Sequence, residues 1–525
     1  MRTSHSKKEK GFARLVMALI LRIDFCRSEI KIFVRKRKFK PPHERGFPID
    51  EPVQGGNKRD GNKIRKGYFM NEFDTVAAIS TAQGAGGIGV IRISGDSAVE
   101  IADKVFKSAG GKKLSELKGY TALYGKVYDG EQCIDEVVSL VFKAPHSYTG
   151  EDVVEISCHG GIFVTREVLR TVLKNGARLA EAGEFTKRAF LNGKTDLTEA
   201  ESVMDIIGAK SRAAARAALS VREGALRKRI DKVKEDILTR TAHLQAWADY
   251  PEEDIPEVSF EALENSIKES EKELNDLLNT YDVGQAVKEG IDTVIVGRPN
   301  VGKSTIMNLL SGCEKSIVTE IPGTTRDIIE ETVVLGDVIL RLSDTAGIRD
   351  TDNKVEQIGV SRAKERIKNC GLVLAVFDNS SKLNDDDMEL LEELKGTPCI
   401  AVVNKTDLEK KLDDDIIKDY VKKIVYISAA NNTGLESLTE VVTEICGAES
   451  FDPSQGILSN ERQRDAVLNS LKSLKEAKEA LEMGMTYDAV TVSLEDAISC
   501  ILELTGERVS ETVVDRVFHN FCVGK

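Results

Sequence analysis

No two of the nine cysteines stand in a Cys-x-x-Cys pair, and no Cys/His cluster has zinc spacing. The chain therefore reads as a cytoplasmic protein of reduced thiols, without disulfides or a structural metal. No apolar stretch reaches 18 residues. The longest early run, residues 15–21, lies between Arg14 and Arg22 with no small-residue cleavage site after it, so no membrane span is expected. Outside the start of the chain, positive charge is outnumbered by negative. The formal charge of −12 divides into +12 for residues 1–69, with 19 Lys and Arg against 7 Asp and Glu, and −24 for the remainder. Any nucleic-acid contact by the main body must come from a local basic patch, because its net field repels phosphate.

What is present is length: 525 residues imply three or four domains at about 150 residues each. Within residues 1–69, Pro41, Pro42, Gly55, Gly56 and Gly61 interrupt any helix. The segment reads as a disordered basic leader or a mis-assigned start, with an organellar transit peptide as the alternative. Folded character begins at Met70. Residues 70–187 alternate short apolar runs, such as those at 90–94 and 153–156, with glycine-rich turns and two helical stretches, an α+β pattern. Residues 188–287 are rich in Ala, Leu, Lys and Glu with helical periodicity through 200–244 and 260–278, and helix-rich sequence returns in 451–525. The expected architecture is multidomain: an α/β domain at 288–450 inserted in an all-helical domain, preceded by the α+β domain. Gly84-Ala-Gly86-Gly-Ile-Gly89 matches G-x-G-x-x-G in form only. Its last glycine leads into Val90-Ile-Arg-Ile, a strand, where a dinucleotide site needs a helix, so a glycine-rich hairpin is expected.

The chemistry is concentrated in the 288–450 segment. The strand-like run Thr293-Val-Ile-Val296 leads into Gly297-Arg-Pro-Asn-Val-Gly302-Lys303-Ser304 and then a helical run, the strand–loop–helix setting of a P-loop. Backbone amides from Asn300 to Thr305, Val301 included, would wrap phosphates. Lys303 would reach the β and γ groups, and the Ser304 hydroxyl would coordinate magnesium. Downstream, Gly323-Thr-Thr-Arg-Asp327 supplies Thr325 as a switch ligand to that ion. Asp344-Thr345-Ala346-Gly347 follows a strand and places Asp344 near the metal and the Gly347 amide at the γ-phosphate. Asn404-Lys405-Thr-Asp407 follows another strand, and Asp407 can accept both the N1 and 2-amino protons of guanine. Adenine would leave it unpaired, and a site of this kind rejects the wrong partner by about 10⁴-fold. Ser428 and Ala429 in Ile427-Ser-Ala-Ala430 complete the base pocket. The four motifs in this order mark a GTPase. A water-orienting glutamine, common after the Asp-x-x-Gly glycine, is replaced by Ile348. Arg326 and Arg349 are finger candidates by proximity alone, and Asn300 offers a side-chain oxygen for a monovalent cation.

With these motifs in view, residues 70–525 resemble the MnmE/TrmE family of tRNA-modification GTPases. The resemblance is carried by Asn71-Glu-Phe-Asp-Thr-Val-Ala-Ala-Ile-Ser80, Pro145-His-Ser-Tyr-Thr-Gly-Glu-Asp152, Cys158-His-Gly-Gly161, Gly183-Glu-Phe-Thr-Lys-Arg-Ala-Phe-Leu-Asn-Gly193, the GTPase motifs and Phe521-Cys-Val-Gly-Lys525. Residues 1–69 have no counterpart. The resemblance implies a folate-binding N-terminal domain that also makes a homodimer. It implies work with an FAD-dependent MnmG/GidA-type partner in a heterotetramer, adding a carboxymethylaminomethyl-type group to carbon 5 of tRNA wobble uridine 34. The one-carbon unit would come from 5-formyl- or methylene-tetrahydrofolate. Folate binding would fall on Arg92, Glu155, Lys194 and Lys525. A potassium ion would lie at Asn300 with Thr319, Ile321 and Thr324, in the nucleotide-enclosing stretch Thr319-Glu320-Ile321-Pro322-Gly323-Thr324-Thr325. Glu356 would organise the attacking water, with Lys303 and Thr325 as its catalytic companions. Cys522 is a tail thiol whose mobile setting suits a reactive role, a packed thiol being the alternative.

A GTPase that binds ribosomal RNA as an assembly switch is the competing class. It would need an RNA-binding module such as a KH domain, and no G-x-x-G loop in that setting follows the GTPase motifs.

Overall fold

The computed structural model describes residues 74–82, 84–250, 259–312, 330–343, 367, 370–447 and 451–525. These form two compact units, one comprising the described parts of Met1–Glu201, Asp236–Asn265 and Glu476–Lys525, the other those of Ser202–Glu235 and Ser266–Lys475.

The first unit begins with the strands β1 Val76–Ile79 and β2 Ile88–Ser94. Helix α1 Ala98–Val105 and strands β3 Phe106–Ser108, β4 Thr121–Asp129, β5 Gln132–Phe142 and β6 Val153–His159 follow. Then come α2 Ile162–Lys174, β7 Arg178–Leu179 and α3 Glu184–Leu191. The sheet order is β3-β4-β5-β6-β2-β1-β7. The glycine-rich segment 84–89 does join two antiparallel strands, Val76 pairing with Ser94. Side chains alternate across a strand: Ile91 and Ile93 of β2 join Val154 and Ile156 in a core covered by α1 and α2, while Arg92 faces the opposite side with its register partner Glu155.

The stretch of helical periodicity 200–244 is divided among three helices: α4 Leu197–Gly208, α5 Arg212–Arg222 and α6 Ala225–Asp249. Gly224 at φ +84° takes the left-handed conformation that ends helices, and Ser211 caps α5 by accepting from the Ala214 amide. Helix α7 Phe260–Lys288 leads to the second sheet.

That sheet contains β8 Ile291–Val296, β9 Glu330–Leu335, β10 Val338–Ser343, β11 Leu372–Asp378, β12 Cys399–Asn404 and β13 Lys423–Tyr426. Its order is β13-β12-β11-β8-β10-β9, parallel except for the β9–β10 pair. Helices α8 Lys303–Ser311, α9 Asp385–Glu393, α10 Asp414–Lys418 and α11 Leu435–Ile445 connect the strands. Strands covered on both faces read as continuous apolar runs, and Leu372–Asp378 is buried throughout. One face packs Val376 and Val402 against Ile306 and Leu438; the other packs Phe377 and Val403 against Leu391 and Ile417.

Helices α12 Glu461–Glu482, α13 Tyr487–Thr505 and α14 Glu511–His519 complete the chain. Segments from before and after the second sheet meet within each unit. In the first, Trp247 stacks edge-on with Tyr487 at 5.4 Å and Gln245 donates to Glu495. In the second, Ser220 donates to the Ser454 carbonyl and Lys288 pairs with Asp205 and bonds the Ser459 carbonyl. The seven described cysteines are free thiols, and no helix among the described residues is long and apolar enough to cross a membrane.

The first unit is locked by a buried ion network. Arg188, 1% exposed, donates to Glu184 at 2.7 Å and Glu151 at 3.2 Å, and Arg178 also reaches Glu184. Burial alone would raise the Glu184 pKa; bonds from Arg178, the Glu181 amide and Arg188 outweigh it and hold the carboxyl below the usual range. Arg188→Ala leaves the buried Glu151 carboxylate without its cation and Glu184 with Arg178 alone, a loss of about 3–5 kcal/mol in chemical denaturation at pH 7. Because the folded Glu184 pKa is depressed, its contribution is present above the unfolded value of 4.5 and disappears as pH falls through the folded one. The wild-type advantage over the variant should therefore shrink with acidification, and a deficit that is constant with pH would contradict this account.

Candidate functional site

Parallel sheets present ligand sites at the carboxyl ends of their strands, and the predicted nucleotide residues collect there. After β8 the chain turns at Gly297, φ +146°, where an added Cβ would lie 2.5 Å from the Val376 carbonyl oxygen. It closes at Gly302, φ +99°, where a Cβ would meet the Asn404 amide nitrogen at 2.2 Å. Asn300 between them adopts φ +65°. These turns deliver the chain into α8 at Lys303, so the first-turn amides and the exposed Ser304 and Thr305 stand at a helix N-terminus, which attracts anions. Lys303 Nζ donates to the carbonyls of Gly297 at 2.6 Å and Arg298 at 2.9 Å, and burial pulls its pKa below the ordinary lysine value.

The base-recognition residues come from the ends of β12 and β13. Asn404, 3% exposed, donates through Nδ2 to the Val301 carbonyl at 2.9 Å and accepts the Ala429 amide on Oδ1 at 3.1 Å. Lys405, at φ +65°, donates to the Asn300 carbonyl at 2.8 Å and to Asp378 Oδ2 at 2.6 Å. Ser428 Oγ donates to Asp407 Oδ1 at 2.5 Å, and the Asp407 carboxylate is exposed. The arrangement can wrap an anion in the β8–α8 loop and offer a paired acceptor to a base held by the β12 and β13 loops.

Asp378 is a residue that sequence reasoning missed. It ends β11, between the strands that carry the two main loops, and fixes Lys405. Burial disfavours its charged form, yet hydrogen bonds from Lys405 and Ser380 prevail and keep it below the usual carboxylate range. An acidic residue closing a wholly buried strand was the available signal. The predicted Thr319, Glu320, Ile321, Pro322, Gly323, Thr324 and Thr325, Asp344, Thr345, Ala346 and Gly347, Glu356, and the arginines 326 and 349 lie outside the described residues. Of the expected magnesium ligands the structure describes Ser304, whose exposed hydroxyl at the head of α8 is chemically suited; of the potassium ligands it describes Asn300, a hard oxygen donor exposed on the same loop.

The residues expected for folate lie in the first unit. Arg92 pairs with Glu155 through Nε and Nη2, both 2.8 Å from the same oxygen, Oε1. Its guanidinium lies 5.2 Å from the Tyr148 ring centroid and 5.5 Å from that of Phe185, and it donates to the Gly524 carbonyl at 3.4 Å. The last residues thread past this cluster: Ser80 donates to the Gly524 carbonyl, Val523 bridges Ala182, and the Phe185 amide donates to Lys525. Arg92, Glu155 and Lys525 are thus brought together. Lys194 stands apart, donating to the Pro145 carbonyl at 3.1 Å on the loop that carries Tyr148. Cys522 lies in the same terminal segment. Its thiol is exposed, but its carbonyl accepts from Gly183 and Lys525, and Gly524, at φ +96°, leaves no room for a Cβ against the Ile79 carbonyl. The backbone there is held while the thiol itself is exposed, not packed.

Comparison with known proteins places both halves. A family model described as "MnmE helical domain" matches residues 197–522, and one described as "GTP-binding protein TrmE N-terminus" matches 75–194. The "tRNA modification GTPase MnmE" of Clostridioides difficile (strain 630) is 44% identical over 455 residues, covering 86% of this chain and 99% of that protein. Its namesake in Alkaliphilus oremlandii (strain OhILAs) is 43% identical over 461 residues, with 86% and 99% coverage. Among solved structures, the G domain of the T. maritima FeoB iron transporter is 26% identical, covering 30% of this chain and 98% of that chain at a TM-score of 0.23.

The base pocket yields a direct test. Asp407→Asn replaces an acceptor with a group that donates, so GTP affinity should fall by about 1–3 kcal/mol while xanthosine triphosphate, which offers a carbonyl there, should gain. Fluorescent-nucleotide titration of both bases measures this, and unchanged GTP affinity would remove Asp407 from base recognition.

Proposed function

The chain belongs to the MnmE family of tRNA modification GTPases, and we propose that it hydrolyses GTP in order to modify the wobble uridine 34 of tRNA at carbon 5. The carrying observation is the joining of the β8, β12 and β13 loops through Asn404 into one pocket with the Asp407 carboxylate exposed. In this reading the amides of residues 300–305 hold the phosphates, Lys303 leaves its carbonyl partners for the β and γ groups, and Asp407 selects guanine. Ser304 and Thr325 hold magnesium, which supplies charge neutralisation at the phosphates. Asn300, Thr319, Ile321 and Thr324 hold potassium, and Glu356 orients water in place of the absent glutamine. The GTPase segment is inserted in the helical domain, a reading supported by the contacts within each unit between helical segments from before and after it.

The one-carbon donor is a formyl- or methylene-tetrahydrofolate bound by Arg92, Glu155, Lys194 and Lys525. The chain acts as a homodimer in the cytoplasm with an FAD-dependent partner that completes the carboxymethylaminomethyl group. Support for the folate reading is the convergence of Arg92, Glu155, two aromatic rings and the chain terminus.

Three measurements test the reading. Wobble-nucleoside mass spectrometry of a strain lacking this protein should show loss of the 5-substituent on uridine, and intact nucleosides would refute the tRNA assignment. Hydrolysis should rise in potassium but hardly in sodium, a difference that Asn300→Ala removes; equal rates would refute the cation site. Deleting residues 523–525 should leave GTP hydrolysis within about twofold while calorimetry shows 5-formyl-tetrahydrofolate affinity falling at least tenfold, about 1.4 kcal/mol, through loss of Lys525. Wild-type folate affinity after that deletion would exclude the tail from the site.

A further inference from the structure

A body carrying a net −24 must meet a polyanion through a local exception, and one segment stands out. Residues 210–234 hold nine Lys and Arg against two acids, Glu223 and Asp231, a net +7. Four of the nine are engaged: Arg227 and Lys234 with Asp231, Arg229 with Glu273, and Arg222 in further contacts. The other five, Lys210, Arg212, Arg216, Lys228 and Lys232, are exposed, and their side chains have no hydrogen-bond or ion-pair partner among the described residues. Their direction is set by packing. Ala213, Ala214, Ala217, Ala218 and Val221 bury one side of α5, which leaves Arg212 and Arg216, one turn apart, on the solvent side. Leu226, Ile230 and Val233 do the same for the first turns of α6, leaving Lys228 and Lys232 outward, also one turn apart.

We propose that this outward face of α5 and the start of α6 is the surface that receives the phosphate backbone of tRNA. The proposal rests on the reading of the chain as a tRNA-modifying enzyme and adds where the RNA is held. At physiological salt the Debye length is about 8 Å, so a phosphate near this face responds to the five free cations and not to acids spread over the rest of the surface. Each free cation that neutralises a phosphate releases counterions condensed on the RNA, and that release drives association. A cation already paired would first have to give up its carboxylate. Arg and Lys at one-turn intervals recognise charge and not sequence, which suits an enzyme whose specificity is exercised at a single nucleotide.

The test uses the full chain with Arg212→Gln, Arg216→Gln, Lys228→Gln and Lys232→Gln combined, and each helix pair separately. Anisotropy of labelled unmodified tRNA is followed across a potassium chloride series. The slope of log affinity against log salt should shrink by about 3 for the quadruple variant, at roughly 0.7–0.9 per contact. Affinity near 0.1 M salt should drop at least tenfold, and each pair should give about half the slope change. GTP hydrolysis and the melting transition should match wild type, and Lys112→Gln with Lys118→Gln, exposed cations elsewhere, should leave the slope unchanged. If wild type binds tRNA and the folded quadruple variant keeps the same slope, the face belongs to some other partner, an acidic protein included, and the proposal falls alone. If wild type binds no tRNA, the functional reading falls with it.

Discussion

The nucleotide site depends on one buried amide. Asn404 sits where three loops must agree: its nitrogen holds the Val301 carbonyl, its oxygen holds the Ala429 amide, and its bulk forbids a side chain at position 302. A buried amide of this kind is stabilising only when its polar atoms are matched, since each unmatched partner costs about 1–3 kcal/mol. The β8, β12 and β13 loops are therefore held in a single arrangement. Sheet order makes this possible: β12 and β8 flank β11, and the Asp378–Lys405 contact closes the gap across the end of that strand. The left-handed Asn300 lies inside this frame, with its carbonyl fixed by Lys405.

The first unit solves a related problem with the opposite end of the chain. A strand edge near Ile79 and the head of α3 would each leave backbone groups open, and the terminal residues satisfy them through Gly524, Val523 and Lys525. Closing so long a loop costs little more entropy than closing a short one, because the cost grows only with the logarithm of length. What makes the closure specific is close approach, with backbone against backbone at Gly524.

This difference explains what could be read from sequence. The P-loop, Asn404, Lys405 and Asp407 were legible because their roles use backbone geometry and fixed local spacing, which force particular residue types into short motifs. The strands at 293–296, 338–342 and 399–403 were legible from continuous apolar runs. The division of 200–244 was not, since periodicity persists through both breaks, one marked by the Ser211 cap and the other by the positive φ of Gly224. Asp378 was missed because its partner, Lys405, is 27 residues away and meets it through strand order. The backbone contact of Cys522 was likewise hidden, because its partner Gly183 lies far away in the sequence.

The Arg92–Glu155 pair shows how structure redistributes roles that a residue inventory leaves open. As separate residues, an arginine and a glutamate offer one site for a carboxylate and one for a donor. Register places them opposite each other on adjacent strands, and the ion pair offsets the charge that would attract an anion. The guanidinium lies over the Tyr148 and Phe185 rings, and Nη1 donates to the Gly524 carbonyl. In the proposed folate site Arg92 is then better suited to hold Glu155 oriented as an acceptor. The glutamyl carboxylates of such a ligand would fall to Lys194 and Lys525, cations on separate loops whose side chains are not committed to a buried pair. The site would thus have a rigid, near-neutral end built from strands and a cationic end built from loops, the distribution required by a ligand whose ring is flat and whose tail is flexible.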